Sequence, residues 1–296
     1  MLNRRHFLHQ ICCCASALAV QSLLPAPARA VTAFSGTMQD ATALHFSPQE
    51  GAYDLHIRDY YDKMRHFDAP FEGDIVLQGE HRAILFQALQ RIERLVRTVG
   101  HGNFSLLGFD EAIRVARNYP NVGAFSRSEL EFLECQFYAD AAVYGFYGVK
   151  VITGLTAHIR DRDVYKVPYS GNFLFRGEPL DTWNTIQKTL GNEVVLTSGV
   201  RGVMKQFHLF LNKAATNDAN LSLASRSLAP PGYSFHGVSD FDVGQRDFGE
   251  FNFTDRFTET DVFLRLEELG YLTLRYPRDN QLGVRFEPWH VKVKQA

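Results

Sequence analysis

Two residues close to the C-terminal end of the chain have the types and spacing that could support hydrolytic chemistry. In the segment GVRFEPWHVKV, Glu287 and His290 stand three residues apart around a Pro-Trp pair. A histidine can bind a metal ion, and a carboxylate beside that metal can take a proton from water. The pair is either part of a metal site with its base or the polar edge of a last strand, so further ligands decide between these interpretations.

Candidate ligands lie upstream, in the segment APPGYSFHGVSDFDVGQ, where His236 is followed by Asp240 and Asp242. If Asp-Phe-Asp-Val is extended, both carboxylates point to the same face, because side chains alternate along a strand. His236, one of these aspartates and His290 would form a set of two neutral ligands and one anionic ligand that suits zinc. The alternative is that the aspartates only form a turn and the histidines are ordinary surface residues.

An arginine supplies a third kind of group. Arg201, in LTSGVRGVMKQ, falls at a predicted junction between a strand and a helix. A guanidinium there can bind a carboxylate through two hydrogen bonds or stabilise a developing oxyanion, and the adjacent helix N-terminus also favours an anion. The alternative for this residue is a surface ion pair.

In this order, the motifs resemble those of the zinc D-alanyl-D-alanine carboxypeptidases and dipeptidases of the VanY type, which share a metal core with Hedgehog-like domains. The family shows Ser-Gly-Tyr-Arg with a Gln five residues after the Arg, Pro-Gly-x-Ser-x-His leading to an Asp, Arg-Tyr-Pro, and Glu-x-Trp-His. The matching residues here are Ser198, Gly199, Arg201, Gln206, Pro231, Gly232, Ser234, His236, Arg275, Tyr276, Pro277, Glu287, Trp289 and His290. The resemblance extends from about Tyr165 to the C-terminus.

The resemblance implies a Zn²⁺ ion bound by His236, Asp242 and His290. The family places its metal-binding Asp seven residues after the His, whereas Asp242 follows His236 by six residues and Asp240 follows it by four. Asp242 is assigned because Val243 matches the apolar residue that trails the ligand in the family, and Asp240 is kept as the alternative. A second departure is a valine in place of the tyrosine that precedes the arginine.

The same resemblance implies roles for the other matching residues. Glu287 would act as general base and then as proton donor to the leaving amine, and Arg201 would bind substrate and stabilise the oxyanion. Ser234 and Gln206 are further candidates for substrate binding. The implied activity is cleavage of peptidoglycan stem peptides, foremost as a D-alanyl-D-alanine carboxypeptidase. The alternatives are an endopeptidase of the same fold, a catalytically inactive zinc-containing wall-binding protein, and hydrolysis of a peptide from outside the wall.

The elements that must position these residues indicate an α+β fold. From about Gln49 to Gly154 the spacing of apolar residues is helical, with one helix stopping at Gly100, a second from Asp110 to before Pro120, and a third behind a Ser126–Glu129 capping box. We place a domain boundary near Tyr165, which gives a mainly helical region over residues 31–165 and a small zinc peptidase domain with a mixed or antiparallel sheet over residues 166–296.

The C-terminal half mixes strands and helices without regular alternation. A helix is predicted near Pro179–Leu190, a strand at EVVLTSG, a helix from about Arg201, and a helix capped by Thr258 or Thr260. The run YLTLRY is predicted as a strand, and VRF as a second strand that leads directly into Glu287.

The first thirty residues predict an export signal. Arg4-Arg5 precedes an apolar run and an Ala-Arg-Ala end, which resembles a twin-arginine signal cleaved after Ala30. The expected location is the periplasm or cell envelope, and the mature chain would not be an integral membrane protein. Cleavage would leave Cys135 as the one cysteine, and a net charge of −5 from 28 basic and 33 acidic side chains. That charge does not favour binding to nucleic acid.

Overall fold

The computed structural model describes residues 59–293, so the predicted export signal lies outside the described residues. Helices dominate the first half of this range. They are α1 (Gly79–Val99), α2 (His101–Phe104), α3 (Phe109–Asn118) and α4 (Arg127–Tyr138). The predicted stop at Gly100 is confirmed, since this glycine caps α1 with a φ of 83°, a backbone angle that residues with a side chain rarely adopt.

The predicted capping box at the start of α4 is also confirmed. The backbone N–H of Glu129 donates to Ser126 Oγ at 3.1 Å, and the N–H of Ser126 donates to Glu129 Oε2 at 2.5 Å. Arg91 of α1 donates to both oxygens of the same carboxylate. The cap therefore also ties α4 to α1.

Short strands and further helices form the second half. The helices are α5 (Glu178–Leu190), α6 (Val203–Ala215), α7 (Leu221–Ser227) and α8 (Asp261–Glu268), the last capped by Thr260. The strands are β1 (Val164–Lys166), β2 (Phe173–Phe175), β3 (Val194–Ser198), β4 (Phe241–Gln245) and β5 (His290–Val291). β1 and β2 form an antiparallel pair, and β3, β4 and β5 form an antiparallel sheet in that order. The predicted α+β fold is confirmed.

The prediction of strands at YLTLRY and VRF is wrong. In the described chain the first run makes only an isolated bridge, between Leu274 and Val291, and the second belongs to no strand. The backbone groups of this region bond to scattered partners: Arg285 N–H donates to the carbonyl of Arg226, and Glu287 N–H to that of Tyr276. Within residues 59–293 no single strand runs alongside these segments, so their alternating pattern does not produce a ladder.

Two large apolar clusters stabilise the chain, which forms one compact unit from Lys63 onward. The helical cluster joins α1, α3 and α4 to α6 and α7, and the sheet cluster joins α5 and α8 to the three-stranded sheet. The boundary near Tyr165 stays a prediction, although α6, from the C-terminal side of it, packs directly on α1. Across residues 59–293, every helix is too short or too polar to cross a membrane.

Candidate metal centre

The three residues predicted as metal ligands come together in the structure. Potential ligand atoms of His236, Asp242 and His290 all lie within 4.8 Å of one another, and each residue is at most 3% exposed. His236 Nε2 lies 3.2 Å from Asp242 Oδ1, and His290 Nδ1 lies 3.5 Å from the same oxygen. Residues separated by more than fifty positions therefore present three donor atoms to one point.

His236 is held in a fixed orientation by its Nδ1 atom. That nitrogen lies 2.8 Å from the carbonyl oxygen of Gly199, and because a carbonyl can only accept, Nδ1 carries the proton. Nε2 is then left with a lone pair directed towards Asp242. A side chain at Gly199 would collide with the carbonyl of Phe173, so only glycine allows this approach. Burial lowers the pKa of His236, and the nearby Arg201 lowers it further.

Asp242 is positioned by the register of the sheet. It lies on β4 with Ser198 of β3 on one side and His290 of β5 on the other. The register between β3 and β4 shifts between Leu196 and Ser198, and such irregularities often redirect side chains beside functional sites. Burial raises the pKa of Asp242, but the adjacent His236 and Arg201 outweigh that effect, so the carboxylate is ionised.

Asp240 lies outside the group of donor atoms and binds His290 from behind. Its Oδ2 accepts from His290 Nε2 at 3.0 Å and from Arg275 Nε at 2.8 Å, while Oδ1 accepts from the backbone N–H of Val293. A carboxylate on the far nitrogen of a metal-binding histidine fixes its orientation and tautomer. The geometry thus favours Asp242 as the ligand and gives Asp240 a positioning role.

The charge around His290 suits a cation. Burial alone lowers the pKa of His290, but hydrogen bonds to Asp240 and Glu287 and the nearby Asp242 raise it to about 9. Three carboxylates therefore favour a positive charge at this ring. A divalent metal ion at the donor atoms would compensate the same negative charge.

Glu287 stands next to the donor atoms and is itself buried, at 8% exposure. Its Oε2 lies 3.3 Å from His290 Nδ1, and its side chain lines a cleft. The expectation that Glu287 follows a strand is wrong, since it lies before β5 and its N–H is held by the carbonyl of Tyr276. In this position the carboxylate can accept a proton from water in the cleft.

Arg201 contacts Asp242 from the side of the cleft. Its Nη2 donates to Asp242 Oδ2 and its Nε donates to Ser198 Oγ at 3.0 Å. Gln206 binds the backbone on both sides of the site. Its Nε2 donates to the carbonyl of Arg201, and its Oε1 accepts from the N–H of Gly232. With both amide atoms engaged and 3% exposure, Gln206 supports the arginine.

Ser234 is buried at the start of the short 3₁₀ turn that carries His236. No hydrogen bond caps that turn from the Ser234 side chain. Direct contact of Ser234 or Gln206 with substrate stays a prediction.

A sequence model of the VanY family, described as D-alanyl-D-alanine carboxypeptidase, matches residues 180–294. We name this matched segment the VanY-type domain, after the family model that it matches. All of the donor atoms, together with Glu287, Arg201 and Asp240, belong to the matched segment. No curated protein matches the chain.

Several solved structures are similar to part of this chain. The LdcB LD-carboxypeptidase shares 23% identity with a TM-score of 0.37, over 44% of this chain and 63% of its own. A zinc complex of the vancomycin resistance D,D-pentapeptidase VanY shares 23% identity, with a TM-score of 0.36, over 44% of this chain and 77% of its own. VanYB bound to D-alanine-D-alanine shares 21% identity, with a TM-score of 0.39, over 50% of this chain and 84% of its own. This chain thus spans less than two thirds of the LdcB chain.

A cleft of about 590 Å³ lies beside the metal centre. Arg201, Asp242 and Glu287 line one part of it, and other parts are lined by cations that the sequence analysis did not single out. Lys205 and Lys213 on α6 are two of these. Their spacing of eight residues, with Leu209 between them, predicts a shared helix face and could have identified them. The role of Asp240 had no comparable signal, because it depends on where Arg275 folds back.

Proposed function

We propose that the chain is a zinc-dependent peptidase that cleaves peptidoglycan stem peptides, acting as a D-alanyl-D-alanine carboxypeptidase. The observation that carries this proposal is the convergence of His236, Asp242 and His290 within 4.8 Å, beside Glu287 and an open cleft. Two imidazole nitrogens and one carboxylate oxygen form a donor set that suits zinc and leaves a position free. The VanY-type domain and its carboxypeptidase description support the same reaction.

The residues of the site divide the work of peptide hydrolysis. Bound zinc would supply a Lewis acid that polarises the substrate carbonyl and increases the acidity of water. Glu287 accepts the proton of the attacking water and then delivers it to the leaving amine. Arg201, fixed by Ser198 and Asp242, stabilises the negative charge that develops on the carbonyl oxygen. Asp240 keeps the His290 ring in position throughout.

The proposal extends to location and domain organisation. The twin-arginine pattern of residues 1–30 supports export, and a cell-envelope location matches a wall peptide as substrate. Residues 31–165 would form the helical region and residues 166–296 the peptidase domain. A test is to fuse residues 1–30 to a reporter that is active only after folded export, with Arg4 and Arg5 replaced by lysine as the matched control.

The activity is tested by incubating purified protein with muropeptides that end in D-Ala-D-Ala, with and without a zinc chelator. We expect zinc-dependent release of a single D-alanine, identified by mass. Cleavage inside the stem would instead identify an endopeptidase. Absence of any zinc-dependent product, in protein shown to contain stoichiometric zinc, would overturn the proposed activity and favour an inactive wall-binding protein.

A further inference from the structure

Three cationic side chains that have no assigned role line the same cleft as the metal centre. They belong to Lys205, Lys213 and Arg285, and among residues 59–293 no hydrogen bond or ion pair engages their side-chain nitrogens. Burial lowers the pKa of each of the three. Withdrawing a charge from water without a partner costs free energy. We name these three residues the cationic wall.

The two lysines set the length of the cationic wall. Lys205 and Lys213 are eight residues apart on α6, with Leu209 between them also lining the cleft. Since an α-helix rises about 1.5 Å per residue, the two positions are about 12 Å apart along the axis. That distance is about the span of three to four residues of extended peptide.

Arg285 is held in place by aromatic rings instead of a carboxylate. Its guanidinium carbon lies 4.5 Å from the ring centre of Phe67 and 4.8 Å from that of Trp289. Its Nε has no partner among the described residues. The rings fix the orientation of the guanidinium without neutralising it.

The acidic groups that act on the cationic wall leave its charge available. Asp68 acts on Lys213 and Arg285 only at a distance, as do Asp255 and Glu287 on Arg285. Asp255 itself forms an ion pair with Arg278. An excess of positive charge therefore faces the cleft, in a chain whose net charge is negative.

We propose that the cationic wall binds a free carboxylate of the substrate, on a residue N-terminal to the scissile bond, and so selects peptides that carry such an acid. This inference rests on the proposed function: Glu287 and Arg201 line the same cleft, and the residue that the proposed reaction releases is alanine, so an acidic side chain of the substrate must precede the scissile bond. A carboxylate forms charge-assisted hydrogen bonds with lysine and arginine, and a guanidinium can bind it through two of them.

The test compares two peptides that both end in D-Ala-D-Ala. One carries a free carboxylate on the third residue before the scissile bond, and the other carries the corresponding amide. We expect kcat/KM to be about 10-fold higher for the acid, through a lower KM, which is the weaker end of what one charged hydrogen bond contributes. Lys213→Gln should raise KM for the acid peptide about 10-fold and leave the amide peptide unchanged. Lys188→Gln, the same change at an exposed position of α5, should alter neither.

Binding to zinc-loaded Glu287→Gln protein, measured by calorimetry, separates this inference from the proposed activity. Tighter binding of the acid peptide, lost on adding Lys213→Gln, supports the cationic wall even if the parent protein releases no D-alanine. Equal rates and equal affinities for both peptides would overturn it while leaving the carboxypeptidase activity intact. Equal weakening of both peptides by Lys213→Gln would also overturn it. If that variant does not fold, as judged by thermal unfolding, Lys205→Gln provides the same comparison.

Discussion

The helical cluster and the metal centre are both buried, but different interactions hold them together. In the helical cluster the most buried side chains are hydrocarbons, such as Leu95, Leu133 and Phe210 at 0% exposure. At the metal centre the side chains of His236 and Asp240 are as inaccessible, and they are surrounded by polar atoms. Burial in the first region is favourable by itself, whereas in the second it requires every partner to be present.

Removing a metal ligand should have the largest effect, and that effect should be confined to the metal centre. We expect Asp242→Ala to lose stoichiometric zinc and all zinc-dependent turnover, because two imidazoles alone bind zinc poorly and Arg201 loses its partner. Metal analysis after dialysis against a weak chelator measures the content. His290→Ala should behave in the same way. Full zinc content in Asp242→Ala would show that another residue supplies the ligand.

Removing the base should abolish chemistry without disturbing the metal. We expect Glu287→Gln to lower kcat by roughly 100- to 10,000-fold, because the amide cannot accept the proton of water. Zinc content should equal that of the parent protein. Glu268→Gln, at an exposed position of α8, is the matched control and should retain full activity. An active Glu287→Gln variant would mean that the base is a different residue.

In the helical cluster we expect a substitution to lower stability without changing zinc content or activity. Leu133→Ala should lower the free energy of unfolding by about 2–5 kcal/mol, since it leaves a cavity at a fully buried position. Zinc content and kcat of the folded fraction should not change. Denaturant titration gives the stability, and Leu264→Ala, at a position of α8 that is 51% exposed, should cost far less. Loss of zinc in Leu133→Ala would indicate that the two regions are energetically coupled.

A positioning residue should have a smaller effect than a ligand. Asp240→Asn keeps the shape of the side chain but loses the charge that holds His290 and Arg275. We expect zinc affinity to fall about 10- to 100-fold, with the content restored at high zinc concentration. Competition with a chromogenic chelator measures the affinity. If Asp240→Asn loses zinc as completely as Asp242→Ala, the two carboxylates have equivalent roles and the distinction drawn between them is wrong.

The last prediction concerns the pH dependence of stability and the partly buried imidazole of α6. Burial, together with the nearby Lys205 and His101, lowers the pKa of His208 to about 4. A histidine with a folded pKa below its unfolded value favours the unfolded state once pH falls below the unfolded pKa of about 6.5. The parent protein should therefore lose more stability between pH 6.5 and pH 4 than His208→Gln does. Equal slopes in pH-dependent denaturant titrations would contradict this assignment.

The sequence predicted the two regions unevenly, for physical reasons. Apolar spacing and a capping box identify α1 and α4, because these signals are local. The donor residues followed from ordered motifs, although the spacing of His236 and Asp242 left two aspartates possible. The predicted strands at YLTLRY and VRF were wrong. Leu274 and Val291 meet in one bridge only, and pairing of that kind depends on distant chain segments.

Asp240 and Asp242 lie at the two ring nitrogens of His290, and this arrangement limits which insertions and deletions the chain can accept. Asp242 lies on β4 and Asp240 immediately precedes that strand, and the two carboxylates reach the same ring. A single inserted or deleted residue between them would turn one carboxylate to the opposite face. A change of length in the loop before Asp240 would leave the spacing of the two aspartates intact, whereas a change between them would not. Relatives of this chain should therefore carry either both carboxylates at this spacing or a different means of orienting the second histidine.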